Sequence, residues 1–190
     1  MSAPKIVIIY ATSYGQTAKI ARHIARLLTL DGLAVTVMPV DQVPRDLVLQ
    51  NFDATVLGGS ILFGRHQRAL VRFIRQHRAA LNAVPSAFFS VSGSAASTNA
   101  AERGAALRLV ERLLANTGWR PRLTTTFGGA MAFTRYNPLV RFMMKRISAR
   151  EGGPTDTSRD YEMTDWGLVA HFATTVRALA PMRVAALGAG

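Results

Sequence analysis

The stretch KIVIIYATSYGQT, Lys5 to Thr17, decides the architecture of this chain. Its first part, Lys5 to Ala11, is a continuous apolar run of strand length, as expected for a central strand buried on both faces of a parallel sheet. The run passes straight into Thr12, Ser13, Tyr14, Gly15, Gln16 and Thr17. A helix from Gln16 to Leu30 follows, with Ile20, Ile24, Leu27 and Leu28 at helical spacing and Gly32 as a stop signal. A strand, a short hydroxyl-rich turn and a helix N-terminus together form an anion site. Free backbone N–H groups point outward there, and the helix dipole favours negative charge. Thr12, Ser13 and Thr17 can donate to phosphate oxygens, while Gly15 permits close backbone approach. Such Ser and Thr residues most often just cap a helix, so the loop alone leaves both readings open. It is neither a P-loop nor a dinucleotide fingerprint.

Outward from this stretch, apolar runs alternate with helical patterns, which predicts parallel βαβ units. Leu33 to Val37, Asp53 to Gly59, Val84 to Val91 and Leu123 to Ala130 read as further strands, the Asp53 strand ending in a Gly-Gly-Ser turn. Arg65 to Ala80, Ala100 to Asn116 and Asp165 to Leu179 read as helices, the last with Thr164 as N-cap. The expected fold class is α/β, a doubly wound five-stranded parallel sheet forming one domain over residues 1–190. Carboxyl ends of neighbouring strands at a switch point line one crevice. Ser60, Ile61, Leu62, Phe63 and Gly64, with Ser90, Val91, Ser92 and Gly93, should therefore meet the first loop. Phe63 is a candidate for stacking on a planar ligand, or equally a packing residue.

Composition removes whole classes of function. With 49% hydrophobic and 18% charged residues, neither disorder nor a coiled coil fits. The absence of cysteine removes disulfides, Fe–S clusters and thiol nucleophiles. The four histidines show no metal spacing, so no metal is expected. No apolar run has the length of a signal peptide or a membrane span. The net charge of +12 points to an anionic partner. A nucleic acid is not the expected one, because the arginines are scattered over several helices without a binding motif.

The T-x-x-G-x-T string after the first strand resembles the phosphate loop of flavodoxins, which bind FMN on a sheet ordered 2-1-3-4-5. Flavodoxins are typically acidic, however, and the closer similarity is to the flavodoxin-like, quinone-linked protoporphyrinogen oxidases of bacterial haem synthesis. It covers nearly the whole chain. It is densest at Gly15 to Thr17, Ser60-Ile61 with Phe63-Gly64, Pro85 to Phe88, Trp119-Arg120-Pro121, Arg141-Phe142-Met143, and Gly152-Gly153 with Thr155-Asp156-Thr157. The resemblance implies that Thr12 to Thr17 hold the FMN phosphate, that the Ser60 and Ser90 loops flank the flavin ring, and that Asp156 belongs to the cofactor site. It implies oxidation of protoporphyrinogen IX, electrons passing to a membrane quinone, and a cytoplasmic protein held peripherally on the inner face of the cell membrane. A homo-oligomer is left open. No protein acid or base is implied, since the flavin carries the chemistry. The alternatives are a flavodoxin-type electron carrier and an NAD(P)H-dependent FMN quinone reductase. One departure is the loop Gly93 to Asn99, uncharged where the family suggests a longer basic stretch.

Between the fifth strand and the last helix, over about residues 131–160, lies a basic insertion too long for a βα loop. The family carries an insertion at this place. Asn137 and Pro138 read as an N-cap followed by proline at the first helical position. In the helix they open, Leu139, Val140, Met143, Met144 and Ile147 share one face, with Arg141 and Lys145 opposite. That apolar face can pack on its own domain, clamp a large apolar substrate, or lie on an anionic membrane surface with its cations toward headgroups. Arg135 and Tyr136, just before the helix, are placed near an anionic substrate edge, where an arginine fork suits propionates.

Overall fold

A computed structural model describes residues 3–150 and 152–180. The chain ends of the expected domain and Glu151 within the insertion therefore lie outside the described residues. Five long parallel strands, β1 (Lys5–Ala11), β2 (Ala34–Pro39), β3 (Ala54–Leu62), β5 (Ser86–Ser92) and β6 (Leu123–Gly128), form a sheet ordered β2-β1-β3-β5-β6. Counting long strands only, this is the expected order 2-1-3-4-5. Strand β1 lies between β2 and β3, with Ile8 opposite both Val37 and Val56. Its alternating side chains fill two cores. Ile6, Ile8 and Tyr10 face helices α1 (Gln16–Leu30) and α6 (Trp166–Leu179), while Val7 and Ile9 face α2 (Arg68–Gln76), α3 (Arg78–Ala83) and α4 (Ala100–Thr117).

Strand ends shift by one to two residues from the sequence reading, the fifth strand stopping at Gly128, and three differences are larger or bear on the site. Gly58 and Gly59 do not end β3; the strand continues to Leu62 and pairs Ser60 with Val91 of β5. The glycines make room inside the sheet region: a Cβ on Gly58 would fall 2.2 Å from the Phe89 ring, and one on Gly59 2.5 Å from Leu70. Arg65–His66 is not helical but forms β4, which folds back antiparallel on β3 through Phe63 and Gly64, both at positive φ. The expected helix from Arg65 to Ala80 is accordingly two, broken at His77, whose ring packs on Phe73 with centroids 4.4 Å apart. Finally, Asp165 rather than Thr164 caps α6, accepting from Leu168 N–H at 3.1 Å.

The insertion has a small core of its own above the carboxyl edge of the sheet. Met131, Ala132, Phe133 and Tyr136 are buried together, with Tyr14, Val140 and Met144 packed against them. Two-residue strands β7 (Ala130–Met131) and β8 (Tyr161–Glu162) pair antiparallel and clasp its ends. Helix α5 (Pro138–Arg150) starts as read, with Asn137 Oδ1 accepting from Val140 N–H at 2.9 Å.

Candidate functional site

The first loop is shaped by its own side chains. Thr12 Oγ1 accepts from Gly15 N–H at 2.9 Å, turning the chain so that Gly15 enters the left-handed region at φ 97°. No side chain caps α1, which leaves its first-turn N–H groups available to an anion. Thr17, on that first turn, is fully buried and its hydroxyl has no hydrogen-bond partner among the described residues. A buried hydroxyl without a partner costs about 1–3 kcal/mol, so it marks a place where a ligand oxygen is wanted.

The three loops meet. Thr12, Ser13, Tyr14, Gln16 and Thr17, residues 60–62 of β3 and residues 91–93 at the end of β5 line one cleft of about 70 Å³. The insertion supplies the fourth wall through Gly129, Ala130, Met131, Tyr136 and Met144. Tyr136 meets Tyr14 edge-on with ring centroids 4.6 Å apart, and burial pushes its phenol pKa up. The remaining space suits a phosphate-sized group, whereas pockets for larger ligands run to several hundred Å³.

Other expected residues are placed apart from this cleft. Ser90 lies beneath it, its hydroxyl 2.9 Å from His66 Nε2. Phe63 and Gly64 form the tip of the β3–β4 hairpin, with Phe63 half exposed. Asp156 is exposed and held locally, accepting from Ser158 and pairing with Arg159 at 3.5 Å; it does not line the cleft. Gly15 and Arg135 border a larger groove of about 920 Å³ on the other side of the first loop, with Lys19, Arg22, Asp41 and Glu162. Arg135 donates to the Tyr14 carbonyl at 2.9 Å and stands 3.9 Å from Asp160. Glu162 binds Lys19 at 2.5 Å; although burial raises its pKa, bonding to Lys19, Trp166 and Gln16 outweighs this and keeps it below the usual range.

Helix α5 divides its side chains differently from the helical-wheel reading. Val140 and Met144 face the insertion core, while Leu139 and Met143 are exposed with Phe142 and Lys145. Arg141 does not point to solvent opposite the apolar face. Its guanidinium turns back to donate to the Phe133 carbonyl at 2.9 Å and the Tyr136 carbonyl at 3.2 Å. It ties the insertion together.

Two polar residues escaped the sequence reading. Gln67 Nε2 donates to Ser60 Oγ and, at 3.1 Å, to Ser13 Oγ, locking the first loop to β3; its Oε1 is buried without a partner among the described residues. His66, half-buried beside Phe88, has its pKa lowered to about 4 by desolvation, which keeps it uncharged at neutral pH. Both were read as part of a helix, and only the Phe63-Gly64 turn could have signalled the hairpin. The uncharged loop after β5 acquires a cation from α4: Arg103 donates to the carbonyls of Ser97 and Thr98, both at 2.8 Å.

A flavodoxin-type sheet with three loops converging at its switch point defines the class, and the sequence comparison agrees. The chain belongs to the flavodoxin-domain family, whose model matches residues 7–158. It is 34% identical over 179 residues to protoporphyrinogen IX dehydrogenase [quinone] of Escherichia coli K12, covering 90% of this chain and 94% of that protein. The relative of the same name in Leishmania major is 34% identical over 185 residues, covering 93% of this chain and 76% of that protein. Among solved structures, oxidised flavodoxin 1 of Bacillus cereus matches with a TM-score of 0.52 at 16% identity, over 90% of this chain and 95% of that one, which speaks to the fold alone. No helix among the described residues is long and apolar enough to cross a membrane.

Proposed function

We propose that this protein is an FMN-dependent protoporphyrinogen IX dehydrogenase that passes electrons to a membrane quinone. The observation that carries the reading is the 34% identity over 179 residues to relatives bearing that name. The donor set fits the cofactor's phosphate end: the Thr17 hydroxyl, the uncapped N–H groups of α1 and the hydroxyls of Thr12 and Ser13 converge on one wall of the cleft. Tyr136 and Met144 line the same cleft. When bound, FMN supplies two-electron redox chemistry that no side chain here can perform.

The overall conversion removes six electrons and six protons from the porphyrinogen and converts three quinones to quinols. The chain's own part is binding and exclusion. Gln67 holds Ser13 and Ser60 in register across the cleft, and the uncharged His66 beneath Ser90 adds no cation to its floor. Arg135, beside the larger groove, is suited to a substrate propionate. Peripheral membrane binding is supported by the exposed Leu139, Phe142 and Met143 of α5, with Lys145 and Arg146 beside them.

The test is anaerobic mixing of FMN-loaded protein with protoporphyrinogen IX, with and without a quinone, following porphyrin fluorescence. Quinone-dependent growth over many turnovers is expected. An oxidised flavin and no porphyrin beyond the protein-free control would overturn the reading.

A further inference from the structure

Helix α2 carries charge that the cleft does not use. Between Asp53 and Glu102 the chain has no carboxylate but five arginines, Arg65, Arg68, Arg72, Arg75 and Arg78. All five are exposed, and among the described residues no ion pair holds any of them. Arg68, Arg72 and Arg75 follow at intervals of four and three residues, so they are neighbours on one face of α2, about 5–6 Å apart at Cβ. With His66, Val71 and Gln76 they border a groove of about 340 Å³ whose lining has no carboxylate.

This groove adjoins the cleft across one hairpin. His66 on β4 borders the groove, and Ile61, its cross-strand partner on β3, lines the cleft. The His66 ring also reaches Ser90 beneath the cleft, at 2.9 Å. The larger groove beside Arg135 has the opposite electrostatics. Asp41, Asp160 and Glu162 line it along with its cations, Lys19 is paired with Glu162, and Arg135 stands 3.9 Å from Asp160. A dianion entering there meets three carboxylates, whereas beside α2 it meets three unpaired guanidinium groups.

We infer that the α2 groove seats the two propionates of the tetrapyrrole, with Arg68, Arg72 and Arg75 as their anchors. The inference rests on the proposed porphyrinogen substrate. Its propionates stand on neighbouring pyrroles, a spacing that side chains one helical turn apart can straddle. Each guanidinium is a planar fork that meets a carboxylate with two parallel hydrogen bonds, which an ammonium group cannot do, and every cation of α2 and α3 is an arginine. The groove has room for the carboxylates and one edge of the macrocycle, for which Val71 is an apolar contact, and the rest of the ring extends past the hairpin toward the cleft. The three arginines are positioning residues: they orient the ring and take no part in its oxidation.

The test is binding of protoporphyrin IX to the FMN-loaded protein, followed at the Soret band, with the porphyrin's dimethyl ester measured in parallel in the same non-ionic micelles. The diacid should bind more tightly than the ester. The double variant Arg68→Gln, Arg72→Gln should weaken the diacid about tenfold or more, as charge-assisted hydrogen bonds are lost, and leave the ester and the FMN affinity unchanged. Arg78→Gln removes the same charge outside the groove and should change neither porphyrin. In turnover, the double variant should raise KM for the porphyrinogen more than it lowers kcat. Equal binding of diacid and ester by the unaltered protein, or no porphyrin binding at all, would overturn the inference. So would an equal loss for both porphyrins in the double variant, or an equal loss of the diacid in Arg78→Gln. A loss that follows Arg135→Gln and spares the α2 variant would place the carboxylates in the larger groove and overturn it too. The expected binding pattern without any turnover would instead remove the proposed activity and leave the groove assigned, whereas turnover indifferent to the α2 variant would do the reverse.

Discussion

At the scale of single residues, Thr17 separates stability from binding. Its hydroxyl is buried without a partner among the described residues, so Thr17→Val, of similar shape, should leave stability unchanged or raise it. FMN affinity should move the other way, falling about tenfold to a hundredfold, since a hydrogen bond to a charged group contributes about 1.5–3 kcal/mol. Thermal melts and a flavin-fluorescence titration of one variant test both signs. His66 makes a pH prediction. Its folded pKa of about 4 lies below the ordinary 6.5, so the unfolded chain takes up the proton first as pH falls. Stability contributed by the neutral ring is therefore full above about pH 6.5 and declines toward pH 4, by on the order of 2–3 kcal/mol. His66→Gln, which can still bond Ser90, should flatten denaturation midpoints across that window; an unchanged slope would exclude His66 as the source.

At the scale of elements, the insertion is organised by polar contacts that a hydrophobic pattern cannot show. The helix start at Asn137 and Pro138 was legible because capping is a local matter of adjacent residues. The exposure of Leu139, and the turning back of Arg141 onto two carbonyls, depend on how the preceding loop folds. Arg141→Ala should therefore loosen the insertion without disturbing the sheet. Hydrogen exchange is expected to rise across residues 133–150, while β1 and β3 keep their protection; uniform change would point to global destabilisation instead. Lys145→Ala, which removes an exposed side chain, should leave exchange as it is. The β3–β4 hairpin was missed for a related reason: two-residue strands are below the length at which alternation can be read, and Phe63 is not a turn-forming residue.

For the whole molecule, charge and topology act together. The excess of +12 includes the exposed Lys145 and Arg146 of α5, so association with anionic vesicles should be electrostatic and salt-dependent. Charge reversal at Lys145 and Arg146 should lower vesicle binding at least tenfold at low salt, each near-surface cation contributing about 1 kcal/mol. Co-sedimentation across a salt series measures it, and equal pelleting of both proteins would contradict it. The sequence by itself determined the strands, the strand-to-helix turn after β1 and the convergence of three loops, because buried parallel strands are continuous apolar runs and their connections obey few rules, while the sheet order followed from the family resemblance. That a flavin must supply the redox chemistry was implied by that resemblance. Only the tertiary structure decided that Gln67 locks the first loop to β3, that His66 sits uncharged beneath Ser90, that Arg141 serves the fold, and that Asp156 stands away from the cleft. Those outcomes depend on contacts between residues distant in the chain, or on the path of an irregular segment, and no local periodicity encodes either.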